Sequence, residues 1–471
     1  MVTGEKPKSR IEILRQEISG TSKEVVTLRE MLRMGYWPKD KPLPHPDLDK
    51  LKRIRSLQKK ISELQTQLAK GVTWKDLVKK IRGERMAESR KRSAEKRVLA
   101  KHRYEERKAA WLQKRKESIV HVGKGYSTFL HETEGDDASL EKLGLPVLRT
   151  SKDLATALTV DLKTLRWLTF HRDVVEVSHY VYFQIPKRTG GMRIISAPKK
   201  HLAAAQEWIL ENILAKLSAS GYAHGFLPGK SIKSNAKVHG NPAIVVNMDL
   251  KDFFPTITFI RVCGLFQKFG YSGQVATLLA MLCTEAPRKE VNVEGRKLYV
   301  ATGPRVLPQG SSCSPAITNL ICKRLDARLH GLATKMGFAY SRYADDITLS
   351  TPNKEDKTKV GHLLGATRHI LYDEGFDVNE KKLRIFGKHR RQEVTGLHLN
   401  TGQPAIPRFW LRRLRAMLHN CLAKGLESQD PDGTLLHKLH GMVAYVQMVS
   451  PDKAKPYQEM LKELLPPPPH S

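Results

Sequence analysis

A short apolar run, Ala243-Ile244-Val245-Val246-Asn247-Met248, stops abruptly at Asp249. Its length and β-branched content suit a buried strand. A carboxylate ending such a strand is costly unless it meets a cation. Asp also suits a helix N-cap, so this residue alone leaves two readings open. Leu250-Lys251-Asp252-Phe253-Phe254-Pro255 follows it.

A second carboxylate site lies downstream. In Phe338-Ala339-Tyr340-Ser341-Arg342-Tyr343-Ala344-Asp345-Asp346-Ile347-Thr348-Leu349-Ser350, apolar and aromatic residues flank an Ala-Asp-Asp centre, the pattern of a tight β-hairpin. Two adjacent carboxylates between buried strands repel each other and call for a counter-charge. Hard oxygen ligands suit Mg²⁺. A polar hairpin tip in solvent is the plainer alternative. Taken with Asp249, the pair suggests a two-metal phosphoryl-transfer site. There one ion activates an attacking hydroxyl and the other steadies the departing pyrophosphate. A third element, Leu307-Pro308-Gln309-Gly310-Ser311-Ser312-Cys313-Ser314-Pro315, leads into an apolar helix from Ala316. Its glycine permits close backbone approach to a base or sugar.

Charge narrows the partner. The 471 residues hold 81 Lys+Arg against 48 Asp+Glu, a net charge of +33, which points to nucleic acid or an anionic membrane surface. Residues 1–120 hold 33 of the basic and 16 of the acidic residues, so a quarter of the chain carries half the excess. No apolar run approaches the ~18 residues of a membrane span, and the polar N-terminus lacks a signal-peptide core. The five cysteines form no Cys-x-x-Cys pair, which disfavours a zinc site or a disulfide framework. A cytoplasmic location is expected.

The chain divides by texture. Apolar residues 11, 14, 18, 25, 28 and 32 follow a 3-4 spacing, as do Leu51, Ile54, Leu57, Ile61, Leu64 and Leu68. Breakers Gly35 to Pro38 and Pro42 to Pro46 separate them. The spacing predicts a helical hairpin over 9–70 with facing seams, dimerisation through a seam being the alternative. Residues 73–118 have no proline and are dominated by Lys and Arg. They predict a long basic helix, either a solvated charged surface or an arm contacting phosphates. Residues 121–145, with Gly123, Gly125 and Gly135, read as a linker.

A mixed α/β pattern begins near 146. Ser151-Lys152-Asp153 opens a helix with Leu154, Leu158 and Leu162 on one face. Val175 to Ile185 reads as a strand, Lys187 to Gly191 as a turn and Met192 to Ser196 as the return strand. Gly225-Phe226-Leu227-Pro228-Gly229-Lys230-Ser231 misses the phosphate-loop spacing by one residue. Arg408–Leu422 and His437–Val449 read as amphipathic helices, and 466–471 as a disordered tail.

Asp249 with Phe253-Phe254, then Pro308-Gln309-Gly310, then Tyr343-Ala344-Asp345-Asp346, in this order and spacing, resembles a reverse transcriptase. Asn235-Ala236-Lys237-Val238-His239 and Val394-Thr395-Gly396 resemble the Asn-Ala-x-x-His and Val-Thr-Gly segments of bacterial retron reverse transcriptases. The resemblance covers about 146–460, and the length is similar to the long, myxobacterial sort. It implies an α/β right-hand polymerase with an α-helical N-terminal extension: fingers and the start of the palm over 146–242, palm over 243–400, and a helical thumb over 401–465.

The resemblance also implies roles. Asp249, Asp345 and Asp346 would be the catalytic, metal-binding triad for two Mg²⁺ ions, with the Leu250 carbonyl as a further ligand. Phe254 would be the steric gate against a ribose 2′-OH. Gln309 and Gly310 would line the incoming nucleotide, and Lys187 and Arg193 would hold its triphosphate. Lys382 would assist pyrophosphate departure, although Leu383 follows where the family pattern has Thr. Asn235, His239, Val394, Thr395 and Gly396 would recognise RNA, with fold-maintaining capping and packing as the alternative.

The implied reaction is RNA-directed DNA synthesis from dNTPs on a structured non-coding RNA, primed by the 2′-OH of an internal guanosine. The product would be branched multicopy single-stranded DNA, used in antiphage defence, with any effector protein either separate or absent. The alternatives are a group II intron maturase, a diversity-generating reverse transcriptase, or a catalytically silent RNA-binding scaffold.

Overall fold

The computed structural model describes residues 9–20, 23–38, 40–41, 48–71, 73–186, 190–430 and 433–464. The chain separates into two units, 1–111 and 112–471.

The first unit is helical: Arg10–Gly20, Lys23–Arg33, Leu48–Ala69 and most of the 44-residue helix Trp74–Glu117. Among the described residues its buried apolar side chains are Val25, Val26, Leu28 and Leu77. The expected facing seams are not formed among the described residues, since Ile54, Leu57, Ile61 and Leu68 are exposed. A narrow apolar stripe between Lys and Arg positions gives helix Leu48–Ala69 little to bury. This helix instead approaches the long one through an ion pair, Lys60 Nζ to Glu84 at 3.7 Å. The breaker Pro42–Pro46 and the tail 466–471 lie outside the described residues.

The second unit is mixed α/β. Its central sheet has four antiparallel strands in the spatial order Ala339–Tyr343, Asp346–Thr351, Ile244–Asp249, Arg384–Gly387. Strand Ile244–Asp249 lies inside that sheet, and its two faces serve two cores. Ile244, Val246 and Met248 enter the larger core with helices Phe259–Phe269 and Gly273–Cys283. Val245 enters a second core with Leu397, Leu414, Leu418 and Val443. Burial on both faces explains why the run is continuously apolar rather than alternating.

Three local expectations change. Residues 121–145 are not a linker: Val122, Leu130, Leu140 and Leu145 belong to the larger core. Two of the three glycines that suggested flexibility, Gly123 and Gly135, make close approaches, while Gly125 has open space around it. A Cβ on Gly135 would lie 2.8 Å from the Gly270 carbonyl oxygen. The helix opened by Ser151 stops at Ala157, and Leu162–Thr169 is a separate helix capped by Asp161. Between them Thr159 turns to a left-handed φ of 56°, so the leucine spacing is shared by two helices. The strand expected from Val175 shortens to Tyr180–Pro186, paired with Met192–Pro198. Val174–Val175 pairs instead with Arg296–Ala301, which also pairs with Arg288–Val293. Beyond the sheet, helices Arg408–Lys424, Leu435–Val449 and Pro451–Glu463 pack around the second core.

Candidate active site

The antiparallel register assembles the carboxylates. Asp249 ends its strand directly opposite Asp346, which opens the neighbouring one. Tyr343 and Asp346 close the hairpin around a two-residue turn, Ala344-Asp345. Ala344 takes a left-handed φ of 55°, the geometry that a tight hairpin turn of this kind requires. The Leu250 N–H donates to the Asp345 carbonyl oxygen at 3.0 Å, tying the end of one strand to the turn beside it. Two distant segments therefore bring three carboxylate residues to one end of the sheet.

Their electrostatics reflect that crowding. Burial and then the charge of Asp249 raise Asp345 above the usual carboxylate range, while Lys382 and Arg193 pull it down. Asp346 opens to the adjoining cavity, yet loss of surrounding water, then Asp345 and Asp249, push it up to about 7. Asp249 receives donors: Lys382 Nζ lies 2.8 Å from Oδ1 and Asn379 Nδ2 3.2 Å from Oδ2. Among the described residues no three His, Cys, Asp or Glu side chains converge closely enough to hold an ion. The Lys382 ammonium is the cation beside Asp249 in this conformation. Mutually repelling, water-poor carboxylates with a lysine standing in for a counter-charge are a donor set suited to hard divalent cations.

A cavity of about 360 Å³ adjoins the carboxylates, and Asn247, Asp249, Asp346, Lys382, Thr395 and Gly396 are among its lining residues. The Val-Thr-Gly segment thus shares a cavity with two of the predicted catalytic residues. Thr395 and Gly396 line it, with Thr395 at a left-handed φ of 46°, while Val394 is buried in the second core. Asn235 and His239 are also interior. His239 bridges Ser350 Oγ and Ser341 Oγ, each at 2.7 Å, so it ties two sheet strands together. Direct RNA contact is closed to Asn235, His239 and Val394 in this conformation because all three are buried. The hydroxyls of Ser341 and Ser350 occupy the His239 ring, whereas the buried Asn235 side-chain amide has no hydrogen-bond partner among the described residues.

The Gln309-Gly310 loop leans on the 192–198 strand. Ser196 N–H donates to the Gln309 carbonyl oxygen at 2.7 Å. Gly310 has a φ of 118°, and a Cβ there would stand 2.8 Å from Ile195 Cγ2. No larger residue fits without moving that strand. Arg193 is exposed on the strand. Phe254 is half-buried, its ring 5.7 Å from that of Phe253. Lys187 lies outside the described residues.

Sequence reasoning missed the support beneath the turn. Arg342 and Asp326 are both fully buried and form a two-pronged pair, Nε to Oδ1 at 2.7 Å and Nη2 to Oδ2 at 2.8 Å. Arg342 Nη1 also donates to the Ala344 carbonyl oxygen at 3.1 Å and to Asn319 Oδ1 at 3.2 Å. A cation between Tyr340 and Tyr343 on an otherwise buried strand was the available signal, since such a charge needs a carboxylate partner. Gly225, part of the near phosphate-loop sequence, belongs to the same support. A Cβ there would lie 2.7 Å from the Ala344 nitrogen, and its carbonyl accepts from Asn319 Nδ2 at 2.9 Å.

The sequence is similar to those of known proteins. Residues 185–399 match the family model described as reverse transcriptase (RNA-dependent DNA polymerase). The chain is 44% identical over 333 residues to the Retron Mx162 reverse transcriptase of Myxococcus xanthus, covering 68% of each chain. It is 43% identical over 320 residues to the Retron Mx65 enzyme of the same organism, covering 68% of this chain and 73% of that one. To the Retron Ec86 reverse transcriptase of Escherichia coli it is 34% identical over 281 residues, covering 60% and 81%. Identity of that extent reaches well outside the polymerase motifs, and it makes this chain a member of the retron reverse transcriptases, RNA-directed DNA polymerases with the right-hand fold.

Proposed function

We propose that the chain copies part of a structured non-coding RNA into DNA, priming on the 2′-OH of an internal guanosine and yielding branched multicopy single-stranded DNA. The observation that carries this reading is the cavity shared by Asp249, Asp346 and the Thr395-Gly396 turn. A segment characteristic of retron enzymes sits where an unusual primer would have to be presented.

Reverse transcriptases work with divalent metal and an RNA template. Here Asp249, Asp345 and Asp346, with the Leu250 carbonyl, would hold two Mg²⁺ ions once Lys382 swings away from Asp249. Bound there, the metal lowers the pKa of the attacking hydroxyl and neutralises charge on the triphosphate. The chain's own groups do the positioning. Arg193, with Lys187, holds the triphosphate of an incoming dNTP. Gln309 and Gly310 line the nucleotide, and the Phe254 ring blocks a ribose 2′-OH. Lys382, released from Asp249, is placed to give a proton to the departing pyrophosphate. Asn235, His239 and Val394 act on RNA recognition indirectly, by holding the Thr395-Gly396 turn and the sheet beneath it.

In this reading residues 146–242 supply the fingers and the start of the palm, 243–400 the palm, and 401–465 a thumb that grips the duplex through its shape and backbone. The basic helix 74–117 adds phosphate contacts for the cognate RNA. The branched product serves antiphage defence, with an effector encoded separately.

The test is synthesis on the cognate RNA with dNTPs and Mg²⁺. Branched DNA whose RNA end survives ribonuclease as a 2′,5′-linked stub supports the proposal. Extension of an annealed primer without branched product rejects the retron-specific step while retaining the polymerase. Asp345→Asn should abolish both products; a variant as active as wild type removes the assigned triad.

A further inference from the structure

A second concave surface is built from residues the polymerase reaction does not use. It is an open groove of about 970 Å³, formed by helix Leu162–Thr169, the segment 170–179 and strand Arg296–Ala301. It shares no lining residue with the carboxylate cavity.

Its chemistry is specific. Arg115, Lys163, Arg166 and Arg172 line it against one acid, Glu176. Glu176 has its own counter-charge, Arg296 Nη1 at 3.9 Å. Two aromatic rings face the same space. Trp167 is half exposed, at 50%, and its ring is fixed from one side by an edge-to-face contact with His179, centroids 4.3 Å apart. His179 Nε2 also lies 3.0 Å from the Trp167 carbonyl oxygen. The Phe170 ring lies beneath the Arg172 guanidinium, which stands 5.2 Å from its centroid. Val174 and Val177 are exposed beside them.

Large aromatic surface left open on a helix exit is costly in water unless something covers it. The arrangement of fixed rings between cations is what single-stranded nucleic acid needs: bases stack on the rings and phosphates meet the charges. A duplex would hide its base faces and leave the rings unused.

We propose that this groove binds a single-stranded segment of RNA outside the catalytic cavity, with the exposed Trp167 ring stacking a base and Lys163 and Arg172 meeting phosphates. It rests on the family's use of an RNA template and is independent of the branching step. Template held at two separated places is constrained in direction as well as in position.

The test uses the full-length protein and a fluorescent single-stranded RNA of about 12 nucleotides carrying 4-thiouridine. Trp167→Ala should weaken binding about fivefold or more, the loss of one stacked base. Arg172→Gln, at an exposed position, should reduce the slope of log K against log salt by about 0.7, one single-strand phosphate contact. Cross-links in the wild-type protein should map to the 163–179 segment. If both variants bind as wild type does and every cross-link falls around the carboxylate cavity, the groove is not an RNA site and its rings are left to a protein partner. Primer extension by the wild-type protein, measured alongside, reports on the polymerase assignment separately.

Discussion

Lys382 Nζ lies 2.8 Å from Asp249 Oδ1, so a lysine occupies one carboxylate of the proposed metal site. This ion pair and a divalent cation compete for the same oxygen. Lys382→Ala should therefore lower the Mg²⁺ concentration giving half-maximal primer extension. The maximal rate should fall by about 100-fold or more through loss of a proton donor. A Mg²⁺ titration read as both midpoint and plateau checks this. A lower plateau at an unchanged midpoint would show that Lys382 does not compete with the metal.

The hairpin turn depends on a side chain that faces away from the substrate. Arg342 holds the Ala344 carbonyl while buried against Asp326. Arg342→Met should cost about 3–5 kcal/mol, because it leaves the Asp326 charge buried without a partner. The double variant Arg342→Met with Asp326→Leu should recover much of that stability in denaturant unfolding. It should not recover polymerase activity, since the turn has lost its anchor. Gly225→Ala tests the same turn from the other side. Its Cβ would meet the Ala344 nitrogen at 2.7 Å, so activity should fall by more than stability does.

What could be read from the sequence divides along physical lines. The strand ending in Asp249, the hairpin at Ala344-Asp345 and the loop at Gln309-Gly310 were legible because short-range patterns encode them: apolar runs, a turn, a glycine. The pairing of Asp249 with Asp346 follows once both strands are placed in one sheet. The Arg342–Asp326 pair was not legible, because 16 residues and a helix–strand packing separate the partners. Residues 121–145 misled for a related reason. Gly123 and Gly135 signal close packing against His171 and Gly270, which only the tertiary structure reveals. Asn235 and His239 were identified by motif, but motif spacing carries no information about burial.

Phe254 offers a test of sugar selection. Its ring is half-buried beside Phe253. Phe254→Val should shrink the gate while retaining a hydrophobic contact. Discrimination against ribonucleotides should drop by about 10-fold or more. Single-nucleotide insertion with dNTP and rNTP in parallel gives the ratio, and a preserved ratio would mean that another residue reads the 2′ position.

Acid should unfold the second unit through its buried histidines. Burial holds His239 down at about 3, and His171, His179 and His224 at about 4. In the unfolded chain each titrates near its ordinary value of 6.5. Between those limits the unfolded state binds more protons, so stability is present above pH ~6.5 and is lost as pH falls. His239→Gln should flatten the curve of unfolding free energy against pH by up to about 1.4 kcal/mol per pH unit over that range. Denaturant melts of both proteins from pH 7.5 to 4.5 provide the comparison. Parallel curves would show that His239 already carries its proton in the fold.

The basic helix gives the last prediction, and the structure fixes where to cut. Ile119 is buried in the larger core, so a cut after residue 120 would remove part of that core along with the helix. The division between units falls at Trp111, and a chain starting at Leu112 keeps that core whole. If helix 74–117 contacts phosphates, the shortened protein should bind the cognate RNA more weakly and with a shallower salt dependence. Each lost single-strand contact should reduce the slope by about 0.7. Primer extension on a short annealed template should persist, because the carboxylates, the Gln309-Gly310 loop and Phe254 all lie in the retained unit. Equal affinity and an equal slope would assign the charge on residues 1–111 to something other than the RNA.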